Sequence, residues 1–340
     1  MSEQHATPLK FLIPGWFSVV MGLCGLALAW ARAVPVLGDV ALTGSAMVGS
    51  LAALVLLVLT GLSLVRMQRY PQAFAEDFSH PVRHVFVAAF PVSLILMSAV
   101  LNTTLGVSLL AQAIWIMGAL LQLMVTVWVL SRWLKIAEVG KPTNAFWPGI
   151  TPALLIPVVG NVVVPLAGVK LGFAEWSAAQ FGIGLFFWLV VMALLIVRLG
   201  QHGIWPQRLL PTTFITVAPP SIIGSAIIAL GAPTTLSWMA WGVAVFFLLW
   251  SGTFAKQIVG SPFAITFWAM SFPLASFCAL TLRLSEFAPS WFGIVASGLL
   301  VIVSLLIIML LVGTVNGLRK GTLLAPEPGA NVAPAAPAPV

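Results

Sequence analysis

The chain is short of charge. Only 7% of its 340 residues are Asp, Glu, Lys or Arg, while 61% are hydrophobic; a soluble domain carries about a quarter charged residues. Most of its surface must therefore face lipid or other apolar segments. The short alternating strands of a membrane barrel are missing too. The apolar runs are continuous over roughly 20 residues, the length at which a helix crosses a hydrocarbon core of about 30 Å. Cysteine is scarce, with Cys24 and Cys278 each alone in an apolar run and no C-x-x-C spacing. Such cysteines behave as small hydrophobes. The opening MSEQHATPLK has no small-residue cleavage site after the first apolar run, so no removable signal peptide is expected.

The means for covalent chemistry are also lacking. No H-E-x-x-H, carboxylate triad or phosphate-binding glycine loop occurs, so no enzyme, cofactor or metal site is expected. His5, His80, His84 and His202 all fall in tails or loops. His80 and His84 flank the loop SHPVRH, where Pro81 argues against a helical metal pair and favours loop capping.

What is present is ten apolar segments, at about 12–31, 44–65, 84–104, 107–131, 149–168, 176–198, 211–231, 236–255, 262–282 and 291–318. The expected fold is an all-α integral membrane protein of ten transmembrane helices. Residues 11–320 form the membrane domain, 1–10 a cytoplasmic N-terminal tail, and 321–340 a disordered Ala/Pro-rich tail. Taking alternate loops as one side of the membrane, twelve of the fifteen Lys and Arg share the side of the N-terminus. Arg32, Lys170 and Arg283 occupy the other. This bias puts both termini in the cytoplasm, and it accounts for the formal charge of +7 without a nucleic-acid partner. Trp16, Trp30, Trp176 and Trp291 lie near segment ends, where indoles favour the membrane interface.

Proline is absent from every even segment and present in every odd one: Pro14, Pro91, Pro157, Pro219, Pro220 and Pro273 among others. Proline removes a backbone hydrogen bond and kinks a helix. In lipid the freed carbonyl must be covered by protein or face a water-filled cavity. The odd helices are therefore expected to form an inner ring, and the even ones an outer, lipid-facing ring. Small polar residues follow these prolines: Ser18, Ser93, Asn161, Ser221 and Ser276. They make a five-fold quasi-repeat of helical hairpins around a pore. All eight acidic residues fall outside the middle of any segment, so neither a proton-relay carboxylate nor a cation-selecting acidic ring is visible. The inner ring suits a small anion, concentrated by a positive cytoplasmic vestibule.

Three stretches carry a resemblance to a known family: FLIPGWFSVVMGLCGLALAW, SHPVRHVFVAAFP and SPFAITFWAMSFPLAS. Over roughly residues 10–320 the chain resembles the tellurite-resistance/dicarboxylate transporter family, which includes the TehA-like bacterial proteins and the slow anion channels of plant guard cells. The resemblance implies homotrimers of five-hairpin subunits, each with a central pore plugged by a phenylalanine of the ninth helix. Phe272, immediately before Pro273, stands at that position. The implied function is an anion channel, or channel-like transporter, of a bacterial-type inner membrane, with small inorganic or organic anions and the lipid bilayer as partners. The competing expectation is a secondary exporter, proton-coupled in one form, of C4-dicarboxylate, sulfite or tellurite-related anions.

Overall fold

The computed structural model describes residues 8–80, 82–135 and 147–325. Residues 1–7 and 326–340, which hold most of the two expected tails, lie outside the described residues, as does Pro81. Among the described residues there is no strand. The principal helices are α1 (Phe17–Arg32), α2 (Asp39–Arg69), α3 (Ala89–Leu105), α4 (Leu109–Lys135), α5 (Leu155–Val163), α6 (Ala174–His202), α7 (Ala218–Ala229), α8 (Thr234–Gly252), α9 (Ser271–Ser285) and α10 (Ser290–Arg319). Counted with the turns that lead into them, nine are long and apolar enough to cross a membrane. The stretch holding α5, Pro152–Gly168, is apolar but shorter, with Pro165 restarting the helix after Val163. The chain is a multi-pass membrane protein.

Each odd helix is entered through a 3-10 turn: Pro14–Trp16, Arg83–Ala88, Pro152–Leu154, Gln207–Val217 and Ile265–Met270. The even helices α2, α4, α6, α8 and α10 start without one. Pro91, Pro157, Pro220 and Pro273 each occupy the third residue of their α stretch, where N–H groups have no partner inside the helix and a missing proton costs little. The expected kinks are thus changes of helix type. Each small polar residue that follows donates a hydrogen bond within the junction turn. Ser18 bonds the Gly15 carbonyl (2.7 Å), Ser93 that of Ala89 (2.7 Å) and Asn161 that of Pro157 (3.0 Å). Ser221 bonds the Val217 carbonyl (2.7 Å) and Ser276 that of Pro273 (2.9 Å). In an apolar medium these donors serve carbonyls that water cannot reach.

The odd helices close on one another. α1 packs on α3, α3 on α5, α5 on α7, α7 on α9, and α9 returns to α1. Each even helix packs on the odd helix before it. Burial follows the same division: 72, 78, 78 and 67% of the odd spans starting at Pro14, Arg83, Gln207 and Ile265 is inside the protein. The even spans have only 22, 39, 28, 17 and 28% inside. Leu57, Phe186, Leu249 and Ile294 project outward from even helices as lipid contacts. Packing between inner and outer helices relies on close approach, as expected where lipid removes the hydrophobic drive for association. At Gly184 of α6 an added Cβ would lie 2.9 Å from the Val162 backbone nitrogen of α5.

The tryptophans divide. Trp176 and Trp291 are exposed, as interfacial anchors would be. Trp16 is instead buried, and the Trp30 indole donates to Ser304 Oγ of α10 at 3.2 Å. Their apolar area is recruited for packing because they sit on an inner helix.

At the end of the ring from which α1 starts, a buried ion cluster ties three segments together. Asp77, in the short helix Pro71–Ser79, accepts from Arg66 Nη1 (2.7 Å) and Arg83 Nη1 (2.9 Å). Arg66 also donates to the Lys10 and Ala73 carbonyls. His80 Nδ1 accepts the backbone N–H groups of Val82 and Arg83, both at 3.1 Å, so this histidine caps its loop.

Candidate pore site within the helix ring

A cavity of about 90 Å³ opens inside the ring toward the Arg32 end. Its lining comes from α1, α3, α7 and α9 and from Leu166 and Lys170 just beyond α5; no even helix contributes. Gly25 and Phe272 are at its inner limit, while Arg32 and Lys170 are at its mouth. Seven residues separate Gly25 from Arg32, about 10 Å of helix rise. Phe272 is 5% exposed, and its ring lies across Gly25. A Cβ added at Gly25 would stand 3.0 Å from Phe272 Cδ2 and 3.0 Å from Ala275 Cβ. A glycine is what leaves room for the ring against α1.

The sequence of this chain has known relatives. The family model described as "Voltage-dependent anion channel" matches residues 12–315. The chain belongs to this anion channel family. It is 25% identical to an uncharacterized transporter of Methanocaldococcus jannaschii, over 93% of this chain and 97% of that protein. It is 26% identical to the tellurite resistance protein TehA homolog of Haemophilus influenzae, over 77% of this chain and 78% of the relative. To the guard cell S-type anion channel SLAC1 of Arabidopsis thaliana it is 25% identical, over 85% of this chain. The match spans only 52% of that plant channel, and only 40% of the related S-type anion channel SLAH2.

Within this member of the family, Phe272 and Ser276 are the two sequence-expected site residues that line the cavity. Pro14, Ser18, Pro91, Ser93, Pro157, Pro219, Pro220, Ser221 and Pro273 belong to the junction turns or the first turns of their helices, and none is in the cavity lining. Asn161 points elsewhere. Its Nδ2 donates to Thr126 Oγ1 of α4 (2.8 Å), and its Oδ1 accepts from Gln180 Nε2 of α6 (3.0 Å). Gln122 and Thr126 of α4 both donate to the Pro157 carbonyl at 2.7 Å. This network fixes the short α5 to two longer outer helices and covers the backbone around Pro157.

The lining hydroxyls are committed to their own helices. Thr103 donates to the Ala99 carbonyl (2.8 Å), Ser225 to Ser221 (3.2 Å) and Ser276 to Pro273 (2.9 Å). They show lone pairs rather than protons to the cavity, so these hydroxyls offer an anion little to hold. Positive charge gathers at the mouth instead. The Lys170 ammonium is pushed below the ordinary lysine range, first by partial desolvation at the mouth and then by the neighbouring Arg32 and Arg283 guanidiniums. Arg283 is ion-paired with Glu286. The sequence placed the anion-concentrating charge on the basic-rich side; the structure adds a second positive mouth at the opposite end. Arg32 and Lys170 were visible as two of the three basic residues off the majority side, but their convergence depends on the ring closing.

Among the described residues no cluster of three metal-ligating side chains occurs.

Proposed function

We propose that the chain is the pore-forming subunit of an anion channel, in which small anions pass along the axis of the inner ring and Phe272 closes the path. The observation that carries this reading is the cavity lined by every inner segment and by no outer one, ending at the Phe272 ring. Its walls carry no acid: Asp39 and Glu175 are in the first turns of α2 and α6, and Glu286 follows α9. The charge bias sets the Arg66 end in the cytoplasm and the Arg32 end outside, in a bacterial-type inner membrane. Ten spans in five hairpins, and assembly as a homotrimer with one pore per subunit, complete the proposal by resemblance to the family. The absence of a carboxylate within the inner ring favours a channel over a proton-coupled exporter.

Moving the Phe272 ring from its seat on Gly25 into a hydrated pore forfeits about 1.5–3 kcal/mol of burial. The open arrangement is then disfavoured by about 10- to 150-fold. Phe272→Ala removes that cost, so chloride or nitrate flux into proteoliposomes is expected to rise by up to that factor. Phe277→Ala is the control, since Phe277 stacks on Trp241 of α8 and is outside the cavity lining; it leaves flux unchanged. A folded Phe272→Ala protein with native flux would remove Phe272 from the gate.

A further inference from the structure

Three side chains at the mouth of the cavity share a property that the rest of the lining lacks. Arg32 ends α1, Asn102 lies in the last turn of α3, and Lys170 follows α5. All three line the cavity. Among the described residues none has a hydrogen bond or ion pair to the protein. Asn102 is only 9% exposed. Its amide is not sealed among the buried unpartnered groups but opens onto the same space as Arg32 and Lys170.

We propose that Arg32, Asn102 and Lys170 form an anion-binding site at the outer mouth, whose preferred occupant is a compact inorganic oxyanion carrying two charges. The guanidinium presents a planar set of N–H donors suited to two oxygens at once. The ammonium and the amide NH₂ supply further donors from two other elements. Counting Arg32, Lys170 and the paired Arg283 and Glu286, the mouth carries a net charge of +2, which a dianion neutralises and a monoanion does not. Charge distribution favours the compact ion: a tetrahedral or trigonal oxyanion holds both charges within reach of one guanidinium, whereas a four-carbon diacid spreads them apart. The proton affinity of Lys170 is lowered by desolvation and then by Arg32 and Arg283, effects that a bound anion would offset. Below the mouth Ser225 and Ser276 turn their hydroxyl protons into their own helices, so an ion that leaves the site meets no second trap before Phe272. The site would therefore load anions from outside and set which of them reach the gate. That role rests on the channel reading; the binding itself does not.

Titration calorimetry of the full chain in lipid nanodiscs, at constant ionic strength, tests the proposal. Sodium sulfate is expected to bind saturably, chloride more weakly and succinate more weakly still. Arg32→Gln should weaken sulfate about tenfold or more, and Asn102→Leu and Lys170→Gln each by a few-fold or more. Lys170 is exposed, so Lys170→Gln remains informative should Arg32→Gln fail to fold. Absence of saturable sulfate binding, or equal binding by the native chain and all folded variants, overturns the site. Succinate binding as tightly as sulfate overturns the preference for a compact occupant. Flux separates the two readings: if Phe272→Ala leaves flux native while Arg32→Gln abolishes sulfate binding, the gate fails and the site stands. If Phe272→Ala opens the pore while sulfate ignores Arg32, the site fails and the gate stands.

Discussion

Replacing Asp77 by Asn removes the centre of the ion cluster at the Arg66 end while keeping its volume. Asp77 is fully buried, with one oxygen 2.7 Å from Arg66 and the other 2.9 Å from Arg83. The Arg66 side chain is 3% exposed and that of Arg83 26%, so the change leaves one guanidinium buried without a counterion. Breaking one partner of a buried pair costs about 3–5 kcal/mol. Arg66 keeps the Lys10 and Ala73 carbonyls as acceptors, and Arg83 reaches solvent, which places the cost at the lower end, about 3 kcal/mol. At roughly 2 °C per kcal/mol for a chain of this size, melting followed by tryptophan fluorescence in detergent should fall by about 6 °C. Pairing Asp77→Leu with Arg66→Met removes charge and counterion together and should recover at least half of that loss. The cluster ties Arg83, which opens the 3-10 turn into α3, to the helix Pro71–Ser79. Asp77→Asn should therefore lower the temperature at which anion flux is lost without changing flux at 20 °C. A melting point within a degree of native would refute the cluster's role in holding this end.

Other substitutions probe the ring. Asn161→Leu breaks the link between α5 and Gln180, and should cost about 1–3 kcal/mol in thermal unfolding with no rise in flux; a rise would put Asn161 in the conduction path. Gly25→Ala places a methyl 3.0 Å from the Phe272 ring and from Ala275. The ring is the softer neighbour, so chloride leak should increase, and an unchanged leak would show that the ring does not depend on this seat. Because Lys170 gives up its proton more readily than an ordinary lysine, anion affinity at the mouth should fall as pH rises through that lowered value. Lys170→Gln should flatten the dependence, and a native-like slope in that variant would exclude Lys170 as its origin.

Much of the ring could be read from proline alone, because proline cannot sit deep in a membrane helix without cover. Its placement on odd segments separated inner from outer helices, and the polar residues after each proline marked where carbonyls need donors. What proline could not reveal was the kind of break. A kink and a 3-10 entry ask for the same residue, and only the backbone tells Pro157 as a third helical residue from Pro157 as a bend. Asn161 shows the same limit: its spacing to Pro157 fits a pore-facing amide, while its partners Thr126 and Gln180 lie 35 and 19 residues away. Asp77 falls outside the apolar segments, and nothing local marks it as buried: its partner Arg66, 11 residues earlier, belongs to the last turn of α2. The mouth escaped for a related reason. Arg32, Asn102 and Lys170 belong to three different inner segments, and nothing local in the chain brings them together.

Thiol labelling tests most directly whether anions travel inside the ring of odd helices. Ser276→Cys places a thiol in the cavity lining, and Ile294→Cys places one on the exposed face of α10. Cys24 and Cys278 are buried, and replacing both with Ala leaves the introduced thiol as the sole target. In the Phe272→Ala background, a negatively charged methanethiosulfonate should reduce chloride flux to that of empty liposomes at position 276 and leave it unchanged at position 294. Full flux after complete labelling of residue 276 would contradict a route through the inner ring.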